Sequence, residues 1–402
     1  MKYIVILGDG MADWPVPELG GLTPLQTAKK PHMDFIAKNG CLGLVKTIPT
    51  GMDPGSDTAN LSVLGYNPEI YHTGRSPLEA ASIGVSLSEN DLAYRCNLVT
   101  IKEDILVDHG AGNISTQEAK VLIESLAEAF NVELYVGTSY RHCLVIRGGK
   151  SGCPGSIVQP PHDFIGQKYT TRFPKGRNSE FLSSLVKNSR EILENHPINL
   201  ERIRQSKNPA NSIWLWGEGS APALPLFYDK YAKTGSVISA VDLIKGIGIC
   251  IGLESINVIG ATGTLHTNYA GKVAAALKAL ETQDFVYLHI EAPDECSHQG
   301  QIHDKVLAIE YIDEKVIAPI MAELNNRGED YSIMILPDHP TPLEIKTHTD
   351  EPVPFAYYRK VKGEIVGGSG NSPNITGFDE KNAADAGVYI EDGYMLMDEF
   401  ML

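Results

Sequence analysis

The chain has 402 residues, a length that suits two domains or one large α/β unit carrying an insertion. Apolar residues make up 43% of it and charged residues 21%, values typical of globular proteins, so wholesale disorder is excluded. A formal net charge of −16 repels nucleic acid and anionic membranes, so we expect neither as a partner. An anionic substrate would need positive charge placed locally, from metal ions or from a few Arg and Lys residues.

The sequence also lacks the marks of a membrane or secreted protein. No run approaches the about 18 consecutive apolar residues of a spanning helix, and the apolar stretch Tyr3–Leu7 is too short for a signal peptide. Six cysteines, at positions 41, 96, 143, 153, 250 and 296, have no regular spacing, which favours free thiols over a disulfide framework. We therefore expect a cytoplasmic protein; the oligomeric state is left open.

Short apolar runs alternate with helical patterns along much of the chain. The runs that predict strands are Tyr3–Leu7, Leu42–Val45, Phe285–Ile290 and Tyr331–Leu336. The spacing of apolar residues predicts helices over Pro31–Lys38 and Gln301–Leu324. Strands that alternate with helices indicate an α/β fold with a mainly parallel sheet and helices on both faces.

Residues 76–209 have a different pattern. Helices are predicted over Thr116–Phe130 and Glu180–Asn195, and Asn208–Asn211 resembles a hinge. The short strand candidates of this region are Tyr94–Ile101, Val132–Val136 and His142–Ile146. We predict that residues 76–209 form an inserted α+β domain and that residues 1–75 and 210–402 form the core.

Acidic residues follow three of the predicted core strands. Asp9 comes after the first strand, Glu291 and Asp294 after Phe285–Ile290, and Asp338 after Tyr331–Leu336. The carboxyl ends of parallel strands share one edge of a sheet, where ligands bind. These carboxylates can therefore converge, and a divalent cation would relieve their mutual repulsion.

Histidines accompany these carboxylates. Asp294 and His298 are four residues apart, Asp338 and His339 are adjacent, and His348 follows nine residues later. A single pair of this kind is weak evidence, because Asp108-His109 shows that such pairs arise without a role. Because the candidates follow successive predicted strands, the evidence that they bind a metal is stronger than a single pair would give. Carboxylates and imidazoles suit Mn²⁺, Zn²⁺ or related ions, and two ions could clamp a phosphoryl group between them.

Ser56 stands at the start of a short predicted helix, after a loop rich in Gly and Pro. Two interpretations are open. Ser56 either caps the helix, a role that serine often takes, or presents its hydroxyl where the helix N-terminus favours an anion. A serine hydroxyl is a nucleophile only when a base or a metal activates it.

Taken together, these motifs resemble those of the alkaline phosphatase superfamily, and within it the archaeal type of 2,3-bisphosphoglycerate-independent phosphoglycerate mutase. The resemblance runs from end to end. It rests on the following segments: Gly8-Asp9-Gly10, Gly55–Asn60, Tyr71–Ala80, Gly260–Gly263, Asp294…His298, Asp338-His339, His348 and Gly387…Gly393.

The resemblance implies a phosphatase-like core and a complete catalytic apparatus. One divalent metal would be held by Asp294, His298 and His348. The other would be held by Asp9, Ser56, Asp338 and His339. Mn²⁺ is the expected ion, with Zn²⁺, Co²⁺ or Mg²⁺ as alternatives, and free 2,3-bisphosphoglycerate is not required.

The same resemblance implies a reaction for Ser56. Its hydroxyl would take the phosphoryl group of 3-phosphoglycerate and return it to the other hydroxyl of the glycerate, giving 2-phosphoglycerate in glycolysis or gluconeogenesis. The inserted domain would bind the substrate carboxylate and exclude water, since an exposed phosphoserine would hydrolyse.

The residues that bind the substrate are less specific in the sequence. Candidates are Arg75, Arg141, His142, Arg147, Lys245 and Lys272, each with a solvated surface role as its alternative. Asp53 and Asp57 flank Ser56 and are candidate hydrogen-bond partners of the metal ligands.

One position departs from the family pattern. Trp216 stands where we expect an Arg, and tryptophan cannot pair with a carboxylate by charge. This keeps a homoserine kinase open as an alternative within the superfamily. A metal-dependent phosphomonoesterase would follow if the inserted domain failed to exclude water. A non-enzymatic metal-binding protein is a further alternative. The chain has no G-x-x-x-x-G-K-[ST] motif, which argues against a Walker-type ATP site.

Overall fold

A computed structural model describes residues 1–150, 155–366 and 375–402; one of the six cysteines, Cys153, lies outside these ranges. The chain divides into two units, one made of Met1–His72 and Leu224–Leu402 and the other of Thr73–Ala223. In the described ranges no helix combines the length and the apolar character that crossing a membrane requires.

The strands, in chain order, are β1 (Lys2–Gly8), β2 (Cys41–Val45), β3 (Leu92–Lys102), β4 (Ile105–Asp108), β5 (Glu133–Tyr135), β6 (Arg141–Ile146), β7 (Ser212–Ser220), β8 (Gly235–Ile238), β9 (Glu254–Ser255), β10 (Phe285–Ile290), β11 (Tyr331–Leu336), β12 (Val353–Val361), β13 (Glu364–Val366) and β14 (Tyr389–Ile390).

The α-helices are α1 (Pro24–Thr27), α2 (Pro31–Asn39), α3 (Ser56–Val63), α4 (Pro68–Tyr71), α5 (Arg75–Ser82), α6 (Thr116–Phe130), α7 (Ser179–Leu193), α8 (Pro197–Arg204), α9 (Phe227–Tyr231), α10 (Asp242–Cys250), α11 (Tyr269–Ala279), α12 (Ala292–His298), α13 (Ile302–Ile312), α14 (Ala318–Asn326), α15 (Glu380–Asp385) and α16 (Leu396–Met401). A π-helical segment, Asp313–Ile317, joins α13 to α14.

The first unit is built on a mainly parallel sheet with the strand order β14-β2-β12-β11-β1-β10-β8-β9, and β13 extends the sheet beside β12. β1 lies between β10 and β11 and is parallel to both. Ile4 and Ile6 of β1 pack in one apolar core with α2, α11, α13 and α14. On the opposite face, Tyr3 contacts Phe400 of α16. Helices therefore cover both faces, as the fold-class prediction states.

The second unit is an antiparallel sheet with α6 and α7 against one face and α5 against the other. The long strand β3 pairs with β4, β6 and β7, and β5 pairs with β6. Apolar side chains of α6 and α7 share a core with β3 and with Trp214 of β7. This unit therefore has a core of its own.

The end of the second unit differs from the predicted domain boundary. Residues 210–223 belong to this unit because β7 pairs with β3 over most of its length. The predicted hinge at Asn208–Asn211 is also wrong. The Asn211 side chain bonds both the backbone N–H and the carbonyl of Ile101, and the Thr100 hydroxyl donates to the Pro209 carbonyl, so this segment is fixed inside the unit.

Candidate metal centre and nucleophile

Three acidic side chains meet at one edge of the large sheet. Asp9 directly follows β1, Asp338 follows β11, and Asp294 lies in α12, the helix after β10. Because these three strands are adjacent and parallel, their carboxyl ends lie side by side. The sheet thereby brings together residues that are hundreds of positions apart in the sequence.

Asp294, His298 and His348 form the first group of candidate ligands. Nε2 of His298 lies 3.1 Å from Asp294 Oδ2 and 3.1 Å from Nε2 of His348. His348 Nε2 lies 3.5 Å from Asp294 Oδ1. Nδ1 of His298 donates to the Lys346 carbonyl at 2.9 Å, so its Nε2 is the nitrogen that remains for a cation.

Asp9, Ser56, Asp338 and His339 form the second group. His339 Nε2 lies 3.6 Å from Asp9 Oδ1, 3.5 Å from Asp338 Oδ2 and 3.2 Å from Ser56 Oγ. His339 also lies within reach of the first group, since ligand atoms of Asp294, His339 and His348 are all within 4.8 Å of one another. All seven predicted ligands therefore sit in one continuous cluster, and His339 lies between its two halves.

Charge is crowded in this cluster. Burial raises the pKa of Asp9 well above its usual range, and repulsion by Asp338 and Asp294 raises it further. Burial also acts to raise the pKa of Asp294, but hydrogen bonds from His298 and His348 outweigh it and hold that pKa well below its usual range. The bond to Asp294 in turn raises the pKa of His298 to about 9. The first group is thus stabilised by imidazole, whereas the second has an excess of negative charge.

The donor atoms fit divalent cations. Oδ1 of Asp9 is buried and has no hydrogen-bond partner within the described ranges. A buried carboxylate oxygen without a donor is costly unless a cation compensates its charge. Carboxylate oxygens, imidazole nitrogens and a hydroxyl are ligands that Mn²⁺, Zn²⁺ and Co²⁺ accept. These residues could therefore hold two ions.

Ser56 does not cap its helix through its side chain. Gly55 occupies the N-cap position and Ser56 is the first helical residue, so the capping interpretation is wrong. The Ser56 hydroxyl instead reaches Nε2 of His339 at 3.2 Å. The free N–H groups of this first turn lie beside the hydroxyl and favour an anion there.

Sequence reasoning missed the residues that hold the ligands in place. Asn60 is fully buried; its amide donates to Asp338 Oδ2 at 2.9 Å and to the Ser56 carbonyl at 2.8 Å, and it accepts a bond from the Tyr287 hydroxyl. It therefore ties the helix of Ser56 to a candidate ligand. Its position four residues after Ser56, on the same face of a helix, is the only signal in the sequence.

His289 is a second such residue. It is the fifth residue of the buried strand β10, and its Nε2 lies 3.1 Å from Asp9 Oδ2 while its Nδ1 lies 3.2 Å from the Ser239 hydroxyl. Burial lowers its pKa to about 4, so the ring is neutral at pH 7. Nothing in its apolar surroundings in the sequence marks it as part of the site.

The two lysine candidates of the first unit differ in their environments. Lys272 is fully buried, and its ammonium donates to the His289 carbonyl at 2.9 Å. Burial lowers its pKa to about 8 although the charge of Glu291 acts to raise it. Lys245 forms an ion pair with Asp242, one turn earlier in α10, at 3.3 Å. Only Lys272 is thus bound directly to a strand that carries the centre.

The acidic neighbours of Ser56 also differ. Asp53 is exposed on the loop. Asp57 is buried and lies 2.8 Å from Nε2 of His72. Their predicted partnership with the metal ligands stays a prediction.

Two basic candidates in the second unit, His142 and Arg147, are already buried or paired within that unit. His142 is 4% exposed, and burial lowers its pKa to about 3, so it carries no positive charge at neutral pH. The Arg147 guanidinium is engaged by Glu133 and Asp91 and by the Ser86 carbonyl. Because its N–H groups are already used, Arg147 holds strands and a turn together. Substrate binding by these two residues stays a prediction, and their present contacts give no support for it.

Three arginines of the second unit lie close enough to influence one another. Burial lowers the pKa of Arg95, the charge of Glu79 raises it, and the charges of Arg75 and Arg141 lower it further. Arg75 begins α5, and Arg141 begins β6 with an exposed side chain. Arg95, which sequence reasoning missed, lies opposite Trp216 in the β3–β7 ladder. These three residues are called the arginine cluster below.

Comparison with known proteins identifies the family. A 2,3-bisphosphoglycerate-independent phosphoglycerate mutase of Methanosarcina barkeri is 51% identical over 389 residues, covering 95% of each chain. The enzyme of the same name from Methanosarcina mazei is 49% identical over 391 residues, covering 96% of each chain. The chain belongs to the 2,3-bisphosphoglycerate-independent phosphoglycerate mutase family.

Other comparisons agree with this membership. The family model described as 2,3-bisphosphoglycerate-independent phosphoglycerate mutase matches residues 37–199. A solved protein from Pyrococcus horikoshii has a TM-score of 0.82 at 30% identity and covers all of this chain and 96% of its own. The cofactor-independent phosphoglycerate mutase of Thermoplasma acidophilum has a TM-score of 0.66 at 25% identity and covers all of this chain and 99% of its own. The resemblance and the fold class stated from the sequence are confirmed.

In this member of the mutase family, Trp216 lies beside a positively charged side chain of the neighbouring strand β3. The Arg95 guanidinium lies 4.1 Å from the centre of the Trp216 ring, and its Nε donates to Glu79 at 2.9 Å. The indole N–H of Trp216 donates to Asn97 at 3.1 Å. A cation is therefore present beside the position at which the family pattern predicts an arginine, and the indole face orients it.

Proposed function

We propose that this protein interconverts 3-phosphoglycerate and 2-phosphoglycerate through a phosphoserine on Ser56, as a step of glycolysis and gluconeogenesis. The observation that supports it most is the Ser56 hydroxyl, which lies 3.2 Å from His339 at the junction of two groups of candidate metal ligands. Relatives about half identical to this chain carry the name of this enzyme. Free 2,3-bisphosphoglycerate is not required, because the phosphoryl group stays on the protein between the two steps.

We propose two divalent cations as cofactors, with Mn²⁺ preferred and Zn²⁺, Co²⁺ or Mg²⁺ as alternatives. Asp294, His298 and His348 would hold one ion; Asp9, Ser56, Asp338 and His339 would hold the other. Bound there, the ions would supply Lewis acidity that lowers the pKa of the serine hydroxyl and neutralises charge on the phosphoryl oxygens. The mixed oxygen and nitrogen donor set supports Mn²⁺ over an all-oxygen ion such as Ca²⁺.

The residues around Ser56 support an in-line transfer. The Ser56 hydroxyl gives up its proton and Oγ attacks phosphorus, while the bond from phosphorus to O3 of the glycerate breaks and O3 takes up a proton. After the glycerate turns, its C2 hydroxyl gives up its proton and attacks the phosphoserine, while the bond from phosphorus to Oγ breaks and the serine oxygen takes up a proton. The N-terminal turn of α3 places free N–H groups beside the phosphoryl group. Asn60 holds this turn against Asp338, so the nucleophile is positioned before substrate binds.

We propose that the arginine cluster of the second unit binds the substrate carboxylate. Arg75, Arg95 and Arg141 supply the local positive charge that an acidic chain needs for an anionic substrate. The indole of Trp216 fixes the plane of the Arg95 guanidinium. Exclusion of water from the phosphoserine is what separates a mutase from a phosphatase.

We propose a cytoplasmic location. The cysteines at positions 41, 96, 143, 250 and 296 carry free thiols. Free thiols of this kind persist in a reducing compartment. We propose that the ligand of the site is a small phosphorylated substrate.

Phosphorus NMR of the Mn²⁺-loaded protein with 3-phosphoglycerate tests the proposal. We expect conversion to 2-phosphoglycerate with little inorganic phosphate, and loss of turnover in Ser56→Ala. Ser62→Ala is the matched control, because Ser62 lies on the same helix and its buried hydroxyl has no partner in the described part of the chain. Turnover that survives in Ser56→Ala would contradict the phosphoserine mechanism.

Trp216 favours one alternative, transfer of phosphate to homoserine. The position of Arg95 beside that tryptophan weakens it, because the cation expected in a mutase is present. Incubation with homoserine and ATP decides between them: formation of O-phosphohomoserine without any isomerisation of 3-phosphoglycerate would favour the kinase. Release of inorganic phosphate alone would favour a phosphomonoesterase.

A further inference from the structure

Thr341 is a fully buried residue that touches both groups of candidate metal ligands. Its hydroxyl lies 2.7 Å from Oδ1 of Asp294, in the first group. The same hydroxyl lies 3.2 Å from Nδ1 of His339, the histidine that lies between the two groups. Thr341 has no place in the ligand set derived above, so its hydroxyl requires a separate explanation.

The hydrogen-bonding chemistry of these three side chains fixes the direction of both bonds. An ionised carboxylate can only accept, so the Thr341 hydroxyl donates its hydrogen to Asp294. Its oxygen is then free only to accept, and His339 must donate from a protonated Nδ1. A neutral imidazole with its hydrogen on Nδ1 has a lone pair on Nε2.

That lone pair points at the cluster. Nε2 of His339 lies 3.2 Å from the Ser56 hydroxyl, which can donate to it. The carboxylate oxygens of Asp9 and Asp338 lie at 3.6 Å and 3.5 Å from Nε2, too far to hold a hydrogen there as firmly as Nδ1 is held at 3.2 Å. The tautomer favoured by Thr341 is therefore the one that can ligate a metal.

We propose that Thr341 is a positioning residue that selects the metal-binding tautomer of His339 and couples the two metal sites through Asp294. The inference rests on the proposed metal centre. In this role a change in charge at Asp294 is felt at His339 through one hydroxyl group, so the first ion bound prepares the second site.

The backbone of Thr341 is held firmly enough for this role. Its carbonyl accepts from the buried ammonium of Lys305 at 3.0 Å, and its N–H donates to the Ala12 carbonyl at 3.2 Å. Lys305 also forms a buried ion pair with Asp13 at 2.7 Å. Gly10 leaves the space for the hydroxyl, since a Cβ there would lie 2.6 Å from Thr341 Oγ1. The loops after β1 and β11 thus fix the hydroxyl in position.

Titration of the metal-free protein with Mn²⁺ by isothermal calorimetry tests the proposal. We expect two ions in the wild-type protein. In Thr341→Val, which keeps the shape but removes the hydroxyl, we expect binding about 10- to 100-fold weaker, the range for loss of a partner of a metal ligand. Thr341→Ser should restore binding, since it keeps the hydroxyl. Thr349→Val is the control for the substitution itself, because its buried hydroxyl has no partner within the described ranges.

A second measurement reads the tautomer directly. Long-range ¹H–¹⁵N spectra of the metal-free, ¹⁵N-histidine-labelled protein should show His339 protonated at Nδ1, with His339→Gln used to assign the signal. In Thr341→Val, or in Thr341→Ala if the valine variant does not fold, this tautomer should lose its dominance.

The outcomes are separable. A wild-type protein that binds fewer than two ions would overturn the metal centre itself, and with it this inference. A wild-type protein that binds two ions, together with valine and alanine variants that bind them equally well, would overturn the role of Thr341 alone. An unchanged His339 spectrum in those variants would do the same.

Discussion

Replacing Asn60 by leucine should damage stability and catalysis together. Leucine has the same branched outline as asparagine but offers no hydrogen bonds. The Tyr287 hydroxyl would lose its acceptor, and one oxygen of Asp338 would lose its donor, both in fully buried surroundings. The link from the Ser56 carbonyl to the Asn60 amide would go as well.

The structure sets the magnitude. Each buried polar group left without a partner costs about 1–3 kcal/mol. For the Tyr287 hydroxyl and the Asp338 carboxylate together we expect Asn60→Leu to lower the free energy of unfolding by about 4 kcal/mol. Because Asn60 also anchors the first turn of α3, Ser56 should move relative to His339, and a displacement of about 1 Å costs about 100-fold in rate.

Urea denaturation of the metal-free protein and the rate of 3-phosphoglycerate isomerisation at saturating Mn²⁺ measure the two effects. Ser62→Ala, on the same helix, removes a buried hydroxyl that has no partner among the described residues, so it should not lower stability. If Asn60→Leu behaves like Ser62→Ala in both assays, the hydrogen bonds of Asn60 do not position the nucleophile.

Three further results are expected. Between pH 7 and pH 5 the free energy of unfolding of the wild-type protein should fall by about 2 kcal/mol more than that of His142→Asn. The reason is that the unfolded imidazole takes up a proton below pH 6.5, whereas the folded one, with its pKa of about 3, does not. Urea denaturation at both pH values measures the difference. Arg95→Met should raise KM for 3-phosphoglycerate at least about tenfold. Arg147→Met should leave KM unchanged and lower the free energy of unfolding by about 1 kcal/mol, since the ion pairs of Arg147 are partly exposed. Lys305→Met should cost about 3–5 kcal/mol, and a second change, Asp13→Leu, should recover much of it, because the buried charge left unpaired is then removed.

Each of these has an outcome that would contradict it. Parallel pH profiles for the wild-type protein and His142→Asn would mean that His142 is not buried neutral. An equal rise in KM for both arginine variants would place Arg147 in the substrate site after all. A double variant at positions 305 and 13 no more stable than Lys305→Met would show that the carboxylate is not the source of the cost.

The helices and strands predicted best are those whose first and last residues are determined by the sequence around them. Helix Thr116–Phe130 matches the observed α6 because Ser115 and Glu118 form a capping box at its start and Asn131 adopts a left-handed conformation at its end. Strands Phe285–Ile290 and Tyr331–Leu336 match because they are wholly buried apolar runs. Such features need no knowledge of the rest of the molecule.

Features that depend on distant partners could not be predicted in this way. The helix expected over Gln301–Leu324 is divided by the π-helical segment, where Asp313 accepts bonds from the backbone N–H groups of His32 and Met33. The domain boundary was misplaced because β7 pairs with β3, more than a hundred residues earlier.

The candidate site shows the same division. The seven predicted ligands are brought together because parallel strands determine where their carboxyl ends lie. The residues that orient those ligands, among them Asn60, His289 and Thr341, carry no pattern of their own. The burial of His142 and the ion pairs of Arg147 could not be predicted either, because neither property is visible in a list of residue types.

The position of β1 at the middle of the large sheet has a consequence for biosynthesis. Its two neighbours, β10 and β11, leave the ribosome after all of residues 73–223 have been made. The apolar strand β1 therefore stays without its partner strands while the second unit is synthesised and forms its own core. During that interval the nascent chain exposes an edge prone to association, and holding it soluble becomes a task for chaperones.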